Sequence, residues 1–220
     1  MSKCGNSNNY NILIIKNICV FTLLMVLVSC GKKNITNLKA EGDLIICFGD
    51  SLTGGMGAGE GEDYPSILRK SLKTDIMNAG KGGDTTADAL NRINYDVLQY
   101  NPRIVILEFG GNDYLKKMDI KDTKRNLSQL IEEIQINGSM VVLVGFKFSL
   151  IGGEYADMYN ELAEKYGCVL VPNVLKGILT NQKYKSDQIH PNAEGYKIMA
   201  ERIQDKLKPL IEKANKARKK

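Results

Sequence analysis

The chain contains the segment Leu44-Ile45-Ile46-Cys47-Phe48-Gly49-Asp50-Ser51, in which five apolar residues are followed by a glycine and two polar residues. A short apolar run without alternation is typical of a β-strand that is buried on both faces. Similar runs follow at residues 76–77, 104–109, 140–145 and 168–171. The sequence therefore predicts five buried strands, the first at residues 44–48.

Between these runs, apolar residues repeat with helical spacing in residues 85–98, 122–136, 153–166 and 192–207. Pro209 is expected to interrupt the last helix, because proline lacks the backbone N–H that continues the helical ladder. Strands that alternate with helices form a parallel sheet covered by helices on both faces. We therefore predict an α/β fold, a three-layer α/β/α sandwich with a central five-stranded parallel sheet.

The amino terminus is predicted to be an export signal. Lys3 and Lys16 flank a polar leader, and an apolar run follows at residues 18–28. A transmembrane helix needs about 20 residues, whereas a secretory signal has a positive flank and roughly 7–15 apolar residues. The run ends in Leu27-Val28-Ser29-Cys30, which resembles the lipobox of bacterial lipoproteins, where the cysteine is lipidated.

This pattern predicts a lipoprotein signal peptide at residues 1–29, a lipidation site at Cys30 and a lipid-anchored tether at residues 30–42. The expected location is the bacterial cell envelope, with the chain attached to a membrane through lipidated Cys30. The alternative is an ordinary signal peptide with a chance cysteine.

Cys4 and Cys19 would be removed with the signal peptide, which leaves Cys47 and Cys168 in the mature chain beside Cys30. Both lie in apolar runs and are expected to be buried structural thiols rather than a disulfide or a nucleophile.

Positive charge is concentrated at the two ends of the 220-residue chain, whose formal net charge is +5. Residues 1–29 contribute +2 and residues 212–220 contribute +4, which leaves −1 for the remainder. A nearly neutral body without a basic stripe argues against nucleic-acid binding. We expect one folded domain at residues 43–211 and a basic tail at residues 212–220, either a solvated helix end or a segment attracted to anionic lipid headgroups.

Polar, glycine-rich loops follow the predicted strands. Residues 49–55 follow the first strand, residues 78–85 the second and residues 110–113 the third, while residues 187–192 precede the last helix. Ligands of open parallel sheets bind at the carboxyl ends of the strands. Four loops that converge on this edge predict a catalytic site.

The loops supply the groups of a serine hydrolase. A serine hydroxyl such as that of Ser51 needs a base, and His190 is the only histidine in the chain. Asp187 lies three residues before His190, so one turn can direct its carboxylate to Nδ1 and leave Nε2 for the serine proton. Candidate donors to an oxyanion are the Ser51 N–H, the Gly83 N–H and the Asn112 amide.

Other polar residues of these loops are expected to have structural roles. Asp50 and Asp113 are expected to stabilise the loops that carry them. The glycine-rich residues 54–59 are not followed by the Lys and Ser or Thr of a phosphate-binding loop, which argues against a nucleotide site.

Four segments together resemble the four sequence blocks of the SGNH (GDSL) hydrolases, in order and at fitting distances: Gly49-Asp50-Ser51-Leu52, the loop around Gly83, Gly110-Gly111-Asn112-Asp113, and Asp187 with His190. The likeness covers about residues 44–210 and is closest to the bacterial subgroup of arylesterases, thioesterase I and lysophospholipases. It departs at residues 146–155, where related enzymes carry a longer substrate-contacting loop.

The resemblance implies a flavodoxin-like SGNH hydrolase fold and a role for each matching residue. Ser51 is implied to be the nucleophile, His190 the base, Asp187 its orienting acid, and Ser51, Gly83 and Asn112 the oxyanion hole. The resemblance implies no metal and no cofactor.

The expected function is hydrolysis of carboxylic ester, thioester or lysophospholipid bonds in small acyl substrates, with no obligate protein partner. Two alternatives remain at this point. One is a carbohydrate O-deacetylase of the same fold, and the other is a non-catalytic, lipid-anchored binding lipoprotein. The intact set of candidate catalytic residues argues against the second.

Overall fold

This computed structural model describes residue 1, residues 34–147 and residues 153–219. The chain divides into two compact units, Met1–Asn34 and Ile35–Lys220. Every buried apolar side chain among the described residues lies in the second unit, which therefore has its own hydrophobic core and is expected to fold by itself. The predicted signal peptide, apart from residue 1, and the predicted lipidation site Cys30 lie outside the described residues.

Five strands form one parallel sheet in the order β2-β1-β3-β4-β5. The side chains of the three central strands β1, β3 and β4 are buried on both faces of the sheet, as unalternating runs predict, whereas the edge strands β2 and β5 are only partly buried. The strands are β1 (Ile45–Gly49), β2 (Ile76–Gly80), β3 (Ile104–Glu108), β4 (Met140–Val144) and β5 (Val169–Val171).

Helices cover both faces of the sheet, which confirms the predicted three-layer fold. In chain order they are α1 (Ser51–Gly54), α2 (Tyr64–Leu72), α3 (Thr86–Asp96), α4 (Gly111–Leu115), α5 (Ile120–Ile136), α6 (Glu154–Lys165) and α7 (Ala193–Arg218). Helix α2 packs against α7, whereas α3 packs against α5 and α5 against α6. Side chains cap several helix starts: Thr85 and Asp88 form a capping box at α3, and Asn192 caps α7.

The prediction that Pro209 interrupts the last helix is wrong, because α7 continues through it to Arg218. Pro209 is exposed, so water can hydrogen-bond the carbonyl that proline leaves without a partner. Leu207, Leu210 and Ala214 are buried on both sides of the proline. Their burial offsets the local cost, and most of the predicted basic tail is therefore the last turns of α7.

The second half of the predicted tether, from residue 35 onward, contacts the domain. Thr36 donates its backbone N–H to the Gly167 carbonyl at 3.2 Å. The Asn37 side-chain amide donates to the carbonyls of Gln135 at 2.7 Å and Ser139 at 3.0 Å. Because Ile35, Leu38 and Ala40 also pack against the core, only the residues before Ile35 are left as a candidate free tether.

Cys47 and Cys168 are free, buried thiols, as the sequence predicts. Burial raises the pKa of Cys168 to about 12 and that of Cys47 further, so neither is a reactive thiolate. Across the described residues, no helix combines the length and the apolar character needed to cross a bilayer.

Candidate active site

Ser51 is presented by a tight turn between β1 and α1. Asp50 lies between the two elements, and its Oδ1 accepts the Leu52 backbone N–H at 3.0 Å, which caps α1. Gly49 is required before this turn, because a Cβ there would overlap Thr53 Oγ1 and the Glu108 carboxylate. The close approach of β1, α1 and β3 therefore fixes the position of Ser51 at the carboxyl edge of the sheet.

His190 lies within hydrogen-bond distance of Ser51, although 139 positions separate the two residues in the chain. The distance from Ser51 Oγ to His190 Nε2 is 3.0 Å, and the distance from His190 Nδ1 to Asp187 Oδ2 is 2.7 Å. The structure thus brings together the three residues that the sequence singled out. The imidazole side chain is 13% exposed and the Asp187 side chain is 53% exposed.

The turn that carries Asp187 holds its carboxylate in position. Asp187 Oδ1 accepts the backbone N–H groups of Ile189 and His190, both at 2.8 Å. The hydrogen bond from the His190 side chain, followed by that from the Ile189 N–H, lowers the pKa of Asp187 to about 2. The carboxylate is therefore ionised at neutral pH and oriented towards the imidazole.

The loop after α1 packs against the loop that carries His190. The Tyr196 hydroxyl, on the first turns of α7, donates to the Met56 carbonyl at 2.8 Å. A Cβ at Gly57 would overlap Ser186 Oγ, and Gly57 has a φ of +92°, so this close contact requires glycine. Serine and histidine are thus held by loops that pack against each other.

The three candidate oxyanion donors do not have the same surroundings. Among the described residues, neither the Ser51 N–H nor the Gly83 N–H has a hydrogen-bond acceptor. The Asn112 amide donates to the Asp84 carbonyl at 2.9 Å and to Asp50 Oδ2 at 3.2 Å. An anion at Ser51 would therefore compete with the Asp50 carboxylate for one Asn112 N–H.

Asp50 and Asp113 are buried. Asp50 caps its own turn, as the sequence predicts, whereas Asp113 binds residues of two other helices. Burial raises the pKa of Asp50 to about 6, although the hydrogen bond from the Leu52 N–H opposes the shift. Asp113 accepts hydrogen bonds from the backbone N–H and the hydroxyl of Thr86 and from the Thr123 hydroxyl. It therefore fixes α4, which contains Asn112, to the start of α3 and to α5.

Sequence reasoning missed Glu108, the last residue of β3, which lies beneath the Ser51 turn. Its Oε2 accepts the Thr53 hydroxyl at 2.7 Å, and the Tyr64 hydroxyl lies 2.8 Å from the same Thr53 oxygen. Burial first, and then the nearby Asp50 carboxylate, raise the pKa of Glu108 well above its ordinary value. The apolar run around Glu108 gave no signal that its side chain would contact α1.

Sequence reasoning also missed Arg92 on α3. Its guanidinium donates to the carbonyls of Gly49 and Ala79, each at 2.9 Å, and pairs with Asp84 Oδ2 at 2.6 Å. The group also lies over the Phe48 ring, 4.4 Å from its centroid. Arg92 thus joins the ends of β1 and β2 to the loop that precedes α3.

Arg92→Met is expected to lower the free energy of unfolding by about 3 kcal/mol, because Asp84 would remain buried without its cation. Urea denaturation at neutral pH measures the change. Arg125→Met is the matched control, since Arg125 pairs with Asp122 at the surface and should change stability by about 1 kcal/mol or less. Equal losses in the two variants would contradict the role of Arg92 in joining the strand ends.

Within the described part of the chain, no three His, Cys, Asp or Glu side chains come together as a metal site would require. The chemistry that the geometry provides is a hydroxyl next to an oriented imidazole, with free backbone N–H groups nearby. This arrangement can activate a serine and stabilise an oxyanion.

Comparisons with known proteins show the family and the fold of this chain. The model of the GDSL-like lipase/acylhydrolase family matches residues 47–198. Thioesterase 1/protease 1/lysophospholipase L1 of Escherichia coli (strain K12) is 27% identical over 185 residues, which cover 80% of this chain and 89% of that protein. The arylesterase of Vibrio mimicus is 30% identical over 174 residues, covering 74% of this chain and 87% of that protein. The crystal structure of TesA has a TM-score of 0.72 at 28% identity, covering 76% of this chain and 99% of that chain.

Proposed function

Because this chain belongs to the GDSL-like lipase/acylhydrolase family and is an ester-bond hydrolase, we propose that it is a serine esterase in which Ser51, His190 and Asp187 form the catalytic triad. The observation that carries the proposal is the chain of hydrogen bonds from Ser51 Oγ through the imidazole to Asp187, at 3.0 and 2.7 Å. These distances fit a general base that is oriented by a carboxylate.

The reaction proceeds in two halves. Ser51 Oγ attacks the carbonyl carbon of the ester while its proton moves to His190 Nε2, and Asp187 stabilises the resulting imidazolium through Nδ1–H. His190 then gives the proton to the leaving alkoxide or thiolate, which departs and leaves an acyl group on Ser51. In the second half a water molecule replaces the serine as nucleophile, and the same proton transfers release the carboxylic acid.

The tetrahedral oxyanion is stabilised by the Ser51 and Gly83 N–H groups and by the Asn112 amide. The two backbone donors are free of other acceptors in the described chain, which supports their role. Asn112 contributes the N–H that it otherwise shares with Asp50. Donors that are fixed before the reaction stabilise the developing charge without a reorganisation cost.

Asn112→Ala is expected to lower kcat by about 10²-fold with little change in KM, because the donor acts on the oxyanion and not on the bound ester. Steady-state hydrolysis of a p-nitrophenyl ester measures both constants. Asn91→Ala, at an exposed position on α3, is the control and should match the wild type. An unchanged kcat in Asn112→Ala would remove Asn112 from the oxyanion hole.

The substrate class is proposed to be small acyl esters, including thioesters and lysophospholipids. Three exposed apolar side chains lie on the loops of the catalytic edge: Met56 after α1, Leu115 on α4 and Ile189 directly before His190. Exposed apolar side chains on the segments that carry the site can contact an acyl chain. The relatives named thioesterase 1/protease 1/lysophospholipase L1 and arylesterase agree with this class.

The test is hydrolysis of p-nitrophenyl esters of graded chain length, together with labelling by a fluorophosphonate probe. We expect turnover of several chain lengths and covalent labelling located at Ser51 by mass spectrometry. Activity confined to acetyl esters, with release of acetate from acetylated sugars, would favour a carbohydrate O-deacetylase. A folded protein that neither reacts with the probe nor hydrolyses any ester would favour a binding lipoprotein instead.

Activity is expected to fall on acidification, because protonated His190 cannot accept the Ser51 proton. Asp187 does not produce this loss near neutrality, since the hydrogen bond from His190 lowers its pKa to about 2. The carboxylate also affects folding stability. The pKa of an unfolded aspartate is about 3.9, so the contribution of Asp187 to the free energy of unfolding is fully present above that pH and is lost as the pH falls through about 2. A kcat/KM profile measured downward from neutral pH tests the role of His190, and a flat acidic limb would contradict it.

The location of the enzyme is proposed to be the bacterial cell envelope, with a lipid attached to Cys30. The support is the sequence Leu27-Val28-Ser29-Cys30 at the end of an apolar run. Metabolic labelling with a palmitate analogue should mark the wild-type chain and not Cys30→Ser. Equal labelling of the two chains would contradict the proposal.

A further inference from the structure

The edge of the sheet opposite the catalytic site carries a cluster of cations. Arg103 directly precedes β3, and α7 runs from the catalytic edge to this one, where Asn215 Oδ1 accepts from Arg103 Nη2 at 2.7 Å. Arg218 Nη2 donates to the Gly42 carbonyl, just before β1, at 3.4 Å. We call this surface the amino-terminal face and define it by Lys73, Arg103, Lys213, Lys216, Arg218 and Lys219.

Arg103 is a buried cation that has no close ion-pair partner among the described residues, although the exposed Asp43 carboxylate lies in the same pocket. The residue is 5% exposed, and its Nε has no hydrogen-bond partner in the described structure. None of the ion pairs among the described residues involves Arg103. Burial, and then the charge of Arg218, lower the pKa of Arg103, whereas the nearby Asp43 carboxylate opposes this shift. A buried charge that lacks a close ion pair is costly, so an anion that binds directly beside Arg103 would be stabilising.

A pocket of about 330 Å³ opens beside this guanidinium. Its lining combines Arg103, Lys73 and Asn215 with two exposed carboxylates, Asp43 and Asp75. The carboxylates disfavour a bare anion but suit a ligand that carries donors next to its negative charge. A phospholipid headgroup has this chemistry, because its phosphate fits the cations and its hydroxyl or ammonium group fits the carboxylates.

The chain enters the domain at the same face. Thr36 and Asn37 bond to Gly167 and Ser139, which lie just before β5 and β4. Four residues lie between Cys30 and Ile35, so five residue steps give a reach of about 17 Å when the chain is fully extended. Two of the intervening residues are Lys32 and Lys33. A lipid on Cys30 would therefore keep this face close to the bilayer surface.

We propose that the amino-terminal face is the membrane-binding face of the protein and that a phospholipid phosphate binds in the pocket beside Arg103. The proposed binding site is inferred only from the charged residues of this face. That the protein stays attached to the membrane depends, in addition, on the proposed lipidation of Cys30. Strands of five residues separate this face from the catalytic edge by about 16 Å. Ser51 therefore faces away from the anchoring bilayer, and its substrates arrive from the aqueous side.

The experiment uses residues 31–220 without the lipid, because the unit Ile35–Lys220 contains the whole described core. Sedimentation with phosphatidylglycerol and phosphatidylcholine vesicles should show binding that salt weakens, and pure phosphatidylcholine should bind less. Lys216→Glu/Arg218→Glu should weaken binding roughly tenfold or more. The control Lys117→Glu/Lys121→Glu makes the same charge change at the catalytic edge and should bind within about twofold of the wild type. Equal weakening in the two variants, or equal binding to both vesicle types, would overturn the proposal.

Two further arms test the pocket and the orientation. Arg103→Gln should lose most of the preference for phosphatidylglycerol, provided that thermal melting shows a folded protein. If this variant does not fold, the comparison of Lys216→Glu/Arg218→Glu with Lys117→Glu/Lys121→Glu tests the proposal. Displacement by inorganic phosphate at the concentration of lipid phosphate would indicate a free-phosphate site and overturn the headgroup assignment. Vesicle-bound enzyme should hydrolyse a water-soluble ester as fast as free enzyme, and inhibition by vesicles would overturn the orientation. Vesicle binding without any esterase activity would reject the proposed function and not this face.

Discussion

Replacing Ser51 by alanine is expected to lower kcat/KM for p-nitrophenyl esters by roughly 10⁴- to 10⁶-fold. The variant keeps the imidazole, the aspartate and the backbone N–H donors but removes the hydroxyl oxygen that lies 3.0 Å from His190 Nε2 and forms the acyl-enzyme. The remaining rate would come from water attack on an ester held in the oxyanion hole. Initial rates under substrate-limited conditions, at enzyme concentrations raised to detect the residual activity, measure the loss.

The matched control is Ser71→Ala on α2, because the Ser71 hydroxyl bonds Gln204 at the surface. It should hydrolyse the same esters at the wild-type rate. Both variants should melt as the wild type does, since the Ser51 hydroxyl fills no core position. Wild-type turnover by Ser51→Ala would exclude the serine mechanism, whatever the fold.

The strands and most helices could be predicted from patterns of neighbouring residues in the sequence. The central strands β1, β3 and β4 are apolar runs that are buried on both faces, whereas the edge strands β2 and β5 are only partly buried. The starts of α3 and α7 coincide with the capping residues Thr85 and Asn192. These features involve residues close together in the sequence. The order of the strands follows from right-handed crossovers, which leave few other arrangements.

Tertiary packing decided the elements that the sequence did not predict. Helix α2 was missed because its buried face consists of Tyr64, Pro65, Ser66 and Leu68, which do not form an aliphatic stripe. The Asp63 cap and the proline in the first turn were its available signals. Helix α7 passes Pro209 because the residues on both sides are buried, a fact that depends on distant parts of the chain.

The same distinction applies to the candidate site. Ser51 and His190 could be paired from the sequence, since the chain has one histidine and parallel strands bring their ends to one edge. The role of Arg92 in joining the strand ends could not be predicted. Its acceptors at Gly49 and Ala79 are backbone carbonyls, which every residue type carries, so the sequence does not indicate them. Glu108 was hidden for a related reason, since its contact with Thr53 exists only when β3 lies beside β1.

Asp187→Asn is expected to lower kcat/KM by roughly 10³- to 10⁴-fold with the loop intact. The amide that replaces the carboxylate would retain an oxygen for the backbone N–H groups of Ile189 and His190, which the aspartate now accepts at 2.8 Å. The NH₂ group of that amide would then face Nδ1 and donate to it, so the proton of the neutral imidazole would move to Nε2. An Nε2–H cannot accept the Ser51 proton, and the hydroxyl loses its base although every heavy atom stays in place.

The measurement that separates this effect from a structural one combines kinetics with the crystal structure of the variant. Asp205→Asn, at an exposed position of α7, is the control and should keep the wild-type rate. Labelling of Ser51 by a fluorophosphonate should slow in parallel with ester hydrolysis, because both reactions need the same base. A loss below about tenfold in Asp187→Asn, with the loop unchanged, would mean that His190 keeps its tautomer without the carboxylate and that this exposed aspartate is not part of the triad.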